Sequence, residues 1–100
     1  MAEAFAAVGL AASIVTFVNV STKVLDRLRE FYSTAEDTPG VFQDITTQLP
    51  LIVDIMMRIE KGCEDGSLTR DSQQILLHVV KGCLRQITML DGLIERYCPT

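Results

Sequence analysis

The sequence predicts an all-α fold: an antiparallel up-and-down bundle of three long helices, or four if the first bends near Asn19. Three observations carry the prediction. Two long segments repeat apolar residues at alternating three- and four-residue intervals, which gathers them on one helical stripe. Clusters of turn-forming residues at 36–40 and 62–69 cut the chain into three stretches joined by short breaks, the connectivity of an up-and-down bundle. Finally, 100 residues with 48% hydrophobic content supply one core without staples, so a single domain spanning 1–100 is expected.

The first element begins with an anomaly. No charged side chain occurs from Ala4 to Thr22. As a helix that stretch spans about 28 Å, close to the roughly 30 Å apolar thickness of a bilayer. From Ser21 to Tyr32 the pattern is amphipathic, with Val24, Leu25, Leu28, Phe31 and Tyr32 opposing Lys23, Asp26, Arg27, Arg29 and Glu30. Before that, Phe5, Val8, Leu10, Ile14, Val15, Phe17 and Val18 point in every helical direction. Two amphipathic neighbours cannot wrap such a cylinder completely. These seven residues are therefore the candidates for membrane contact or self-association. Ala7, Gly9, Ala11, Ala12 and Ser13 permit close helix approach, while Ser13, Thr16 and Asn19 oppose insertion into lipid.

Thr38 and Pro39 read as the N-cap and first position of the second helix. Its stripe is Phe42, Ile45, Leu49, Ile52, Met56, Ile59 and Cys63, and it keeps phase across Pro50, which predicts a kinked but continuous helix. Gly66 suits a left-handed turn. Thr69 caps the third helix, and Asp71 lies in its positive first turn. The third stripe is Leu76, Val80, Cys83, Ile87, Leu90, Ile94 and Tyr97, widened by Leu77, Val79, Leu84 and Leu93. Pro99 closes it. The expected core is Leu25, Leu28, Phe42, Ile45, Leu49, Ile52, Met56, Ile59, Leu76, Val80, Cys83, Ile87, Leu90 and Ile94. Gly82 and Gly92 each weaken the helix by about 1 kcal/mol relative to alanine and signify close packing or tolerance.

Composition narrows function by exclusion. Nine Lys and Arg against thirteen Asp and Glu give a net charge of -4, which offers no general attraction to phosphate backbones, so nucleic acid is not an expected partner. Cys63, Cys83 and Cys98 lack CxxC spacing, and His78 is the lone histidine, so no metal site is expected and the thiols read as reduced and mostly buried. Cys83 and His78 lie about 140° apart on one helix, too divergent for a nucleophile and base. Asp44, Asp54, Glu60 and Glu64 lack the spacing of a bundle metal site and read as solvated, as do Lys81 and Arg85. No enzyme activity, cofactor or small-molecule substrate is expected. Glu3 stands where a secretory signal places basic residues, so a cytoplasmic location is expected and the sequon at Asn19 reads as coincidental.

The opening Met1 to Val15, the run STKVLDRLREF from Ser21 to Phe31, TQLPL at Thr47 to Leu51, and the helix carrying Gly82 and Cys83 resemble the SesA-type N-terminal domain of fungal NOD-like receptors. The resemblance covers nearly the whole chain. It implies a domain that precedes a nucleotide-binding oligomerisation module, related in kind to the HeLo and mixed-lineage-kinase-like bundles. It also implies a cell-death or incompatibility effector that oligomerises and delivers its apolar N-terminal helix to a membrane. No GxxxxGK[ST] occurs, so the chain is expected to be an excised N-terminal domain. The alternative is an adaptor or homodimerisation bundle that never touches lipid.

Overall fold

The computed structural model describes residues 2–32 and 36–98, with side chains from residue 8 onward. It is an all-α bundle of three helices: α1 (Ala2–Phe31), α2 (Gly40–Glu64) and α3 (Arg70–Tyr97). α1 is continuous through Asn19, so the helix count is three and the four-helix option falls away. No proline interrupts the ladder there, and Thr16 and Thr22 return their hydroxyls to the carbonyls of Ala12 and Val18 without breaking the helix. α2 is likewise continuous through Pro50. Pro99 lies outside the described residues.

The helix ends are built locally. Thr69 accepts the Ser72 N–H at 3.2 Å, and Asp71 occupies the first turn of α3, as the sequence predicts. At the end of α2, Gly66 takes φ +76°, and the Ser67 N–H reaches the Gly62 carbonyl at 3.1 Å, the six-to-one bond that closes a left-handed C-cap. The start of α2 corrects the expected cap. Pro39, not Thr38, is the N-cap, and it makes no side-chain bond; its carbonyl takes the N–H groups of Phe42 and Gln43 at 2.9 and 3.0 Å. Pro39 itself holds ψ at 146°, outside the helical range, so the first helical residue is Gly40.

α1 and α3 run parallel. Gly9 faces Leu77, and Lys23 meets Asp91 at 3.2 Å, two contacts with the same sequence offset of 68. Lys23 also reaches Glu95 at 3.4 Å, and Arg27 lies 3.6 Å from Glu95, so ion pairs outside the apolar seam pin the register. α2 runs back antiparallel to both, and its first turn joins an aromatic cluster: Tyr32 with Phe42 at 5.6 Å, and Phe42 with Tyr97 at 6.4 Å.

The packing is uneven. The backbone of α1 approaches α3 most extensively and α2 next, whereas α2 and α3 meet through side chains such as Phe42 and Tyr97. α1 is thus the corner helix on which both others lean. Its buried face, Leu10, Ile14, Phe17, Val24, Leu25 and Leu28, forms the centre of the core with Leu49, Met56, Val80, Ile87, Ile94 and Cys98. Ser21 is fully buried in the same row and lacks a hydroxyl partner, as does Oδ1 of Asp91. A serine there keeps the row narrow at the cost of an unsatisfied hydroxyl.

Candidate functional site

The structure divides the seven apolar candidates of α1. Leu10, Ile14 and Phe17 are core, because this is the stripe that both neighbours cover. Val8 (67% exposed) and Val15 (46%) face solvent, and Val18 is half-buried. The side chain of Phe5 lies outside the described residues. The cylinder is therefore incompletely wrapped, with only 33% of its apolar window buried. Its outward stripe runs Val8, Ala12, Val15, Asn19, Thr22, again at four- and three-residue intervals, with no charge along it.

On the opposite side, between α2 and α3, an apolar groove of about 200 Å³ opens. Phe17, Leu49 and Ile87 form its floor, Ile45 and Ile52 one wall, Cys83 and Leu90 the other, and Gln48 and Gln86 stand at the rim. Ile52 corrects an expectation: placed in the α2 core stripe by its spacing, it is 39% exposed, because at its level α3 does not close over it. The other expected core positions, Leu25, Leu28, Phe42, Ile45, Leu49, Met56, Ile59, Leu76, Val80, Cys83, Ile87, Leu90 and Ile94, are buried or half-buried.

Further apolar residues lie exposed outside the groove. α2 carries a second seam, Val41, Ile45, Gln48, Ile52, Ile55, Ile59, Gly62, one helical position round from its core stripe. α3 carries Ile75, Val79, Gly82, Gln86, Met89 and Leu93 at the same intervals, of which Met89 and Leu93 line a separate shallow pocket with Gly92 and Arg96. Val41, Ile55, Ile75, Val79, Met89 and Leu93 all lie exposed along these seams. Of these, only Val79 and Leu93 stand out in a single-stripe reading. The signal for the rest is paired apolar neighbours, Val41 with Phe42 and Ile55 with Met56, which a helix must split between two faces.

Polar chemistry is sparse among the described residues. No group of three His, Cys, Asp or Glu side chains is placed to hold a metal ion. The three cysteines are free thiols; burial and the carboxylates of Glu60, Asp65 and Glu64 push the Cys63 thiol above its ordinary value of 9.0. Burial and the neighbouring Cys98 likewise raise the Tyr32 phenol. Hydrogen bonds to Asp91 and Glu95 hold the Lys23 ammonium above 10.5, and the Ser67 hydroxyl and N–H hold Asp65 below 3.8. Each of these shifts favours the charge state that packs quietly, and none prepares a nucleophile.

The described residues thus form a helical bundle with exposed apolar side chains on all three helices. The chain belongs to the SesA family, described as the N-terminal domain on NACHT NTPases and P-loop NTPases, whose model matches residues 11–100. No curated protein and no solved structure matches it.

Proposed function

We propose that this chain is a signalling domain of a fungal NTPase receptor that works by associating with copies of itself, not by catalysis. The observation carrying this is the pair of uncharged apolar surfaces on opposite sides of the folded bundle, the outer stripe of α1 and the α2–α3 groove. Soluble monomers seldom leave contiguous apolar surface of this extent without a use for it. Membership in a family of domains attached to NTPases supports the reading, since such modules supply a means of clustering what they carry. Sedimentation velocity over a wide concentration range tests it. A mass that rises with concentration is expected, and a strict monomer throughout refutes it.

A second reading, membrane perturbation leading to cell death, is supported by α1 itself. Val8–Phe31 meets the length and hydropathy of a membrane span, with mean hydropathy 1.6. Withdrawing α1, however, exposes Leu10, Ile14, Phe17, Val24 and Leu28, each worth about 1.5–3 kcal/mol of burial, a total comparable to the 5–15 kcal/mol stability of an ordinary domain. Insertion therefore means dismantling the bundle, whereas association leaves it intact. Leakage of dye-loaded vesicles by the wild-type chain, abolished in Val8→Asp/Val15→Asp, supports the membrane reading; no leakage at any concentration removes it.

A further inference from the structure

We propose that two copies pair through the same α2–α3 face, about a two-fold axis that runs along the helices. This rests on the self-association proposed above and names its contact. The face is longer than the groove at its centre. On α2, Val41 lies in the helical sector of the groove residues Ile45 and Ile52, and on α3, Val79 and Tyr97 lie in that of Cys83 and Gln86. Val41, Ile52, Val79 and Tyr97 are exposed, and these sectors carry no charge; Asp44 stands at the margin.

The size of the face suits a protein partner as wide as itself. Two helices side by side are about 20 Å across, and Val41 to Gly62 or Ile75 to Tyr97 spans about 32 Å at 1.5 Å per residue. The flat footprint is therefore about 640 Å² per copy and about 1,300 Å² in total, within the range of stable specific interfaces. A lone partner helix covers about half of it, below that range.

A second copy brings the matching pair of helices. Phe42 meets Tyr97 within one copy, and Ile52 and Gln86 line the same groove, so α2 and α3 stand antiparallel with those residues abreast. The two-fold axis then sets α2 of each copy antiparallel to α3 of the other at the same levels. Gln48 of one copy comes to lie about 6 Å along the axis from Gln86 of the other, a separation of four residues. An amide both donates and accepts, so the two glutamines satisfy each other across the contact, where a hydrocarbon chain would leave them unpaired. A sideways offset of half a helix width seats α2 of each copy over the groove of the other, where its exposed Ile52 side chain enters the space above Phe17. One patch serves on both copies, so the contact is isologous and association stops at two.

Sedimentation velocity of the wild-type chain over a wide concentration range is expected to show a single step from monomer to dimer. Val41→Glu/Val79→Glu charges the face at positions 69% and 54% exposed. Gln48→Glu/Gln86→Glu charges it with almost no change of shape, also at exposed positions. Circular dichroism and thermal melts check that each is folded. Either variant is expected to weaken dimerisation at least about tenfold, because it carries carboxylates into a desolvated contact. Val8→Glu/Val15→Glu, on the back of α1, is expected to dimerise like the wild type. A folded face variant that pairs at wild-type strength overturns the proposal, as does growth beyond the dimer or loss of pairing in the α1 variant. A wild-type chain that stays monomeric at every concentration removes the self-association reading itself, a different result from any of these.

Discussion

Ile14 and Val15 are adjacent in the chain and about 100° apart around the helix, and they meet opposite fates. Ile14 is fully buried and Val15 is 46% exposed. Ile14→Ala is expected to cost about 2–5 kcal/mol, through lost transfer energy and the cavity left behind, while Val15→Ala should change stability by no more than about 0.5 kcal/mol. Urea denaturation of the two variants checks this. It also decides which residues report on a surface: acidic substitution at Ile14 or Phe17 unfolds the bundle, so only Val8 and Val15 are clean probes of what touches α1. At the same scale the titration signs are fixed by geometry. Asp65, held below 3.8 by Ser67, contributes stability that is present above that value and lost as pH falls through the lowered one. Lys23, held above 10.5, contributes stability present below that value and lost as pH rises through the raised one. The urea midpoint should therefore be insensitive to these two groups between those limits, and Lys23→Met should remove part of the alkaline loss. Gly66 and Thr69 were legible as turn and cap because their roles are set by their own backbone. The start of α2 was less so, because a proline can serve as either cap or first residue.

At the scale of the helix, most of the fold was legible, since alternating spacing and punctuation fix where α2 and α3 run. The continuity of α1 was not, because Asn19 and Ser21 are compatible with either a bend or a straight helix; the backbone runs unbroken through both. Glycines give the sharpest element-scale prediction. A Cβ at Gly82 or Gly92 meets nothing within 4 Å, so alanine at either should stabilise α3 by about 0.5–1 kcal/mol through backbone entropy alone. Gly66→Ala acts in the opposite direction, because φ +76° strains any residue with a Cβ. Thermal melts of the three variants give the order. The second seams of α2 and α3 escaped a reading that assigns each helix one apolar face; Ile52 shows why, since its spacing places it equally in the core stripe and in the groove wall.

At the scale of the whole molecule, what spacing could not reveal is which helices touch. Two stripes of equal quality on α2 and α3 suit close approach to each other, yet both backbones lie closer to α1 and a groove opens between them. The sequence did announce the surplus: a charge-free run on a helix with one covered side implies an apolar face left over, and Val8 and Val15 occupy it. A contact built from such faces has a recognisable physical signature. Self-association should be nearly independent of salt, because no charge lies along either seam, and should weaken on cooling, as apolar burial does near room temperature. Light scattering across a salt and temperature series measures both; steep loss with added salt would instead point to the Lys23 and Arg27 face.

The parallel course of α1 and α3 has a consequence for anything attached to the chain. With an odd number of helices, residue 2 and residue 98 emerge at opposite poles of a body 49 Å long. Cargo fused after α3 departs beside the Tyr32, Phe42 and Tyr97 rings, while the leading tip of α1 projects the other way, unobstructed by that burden.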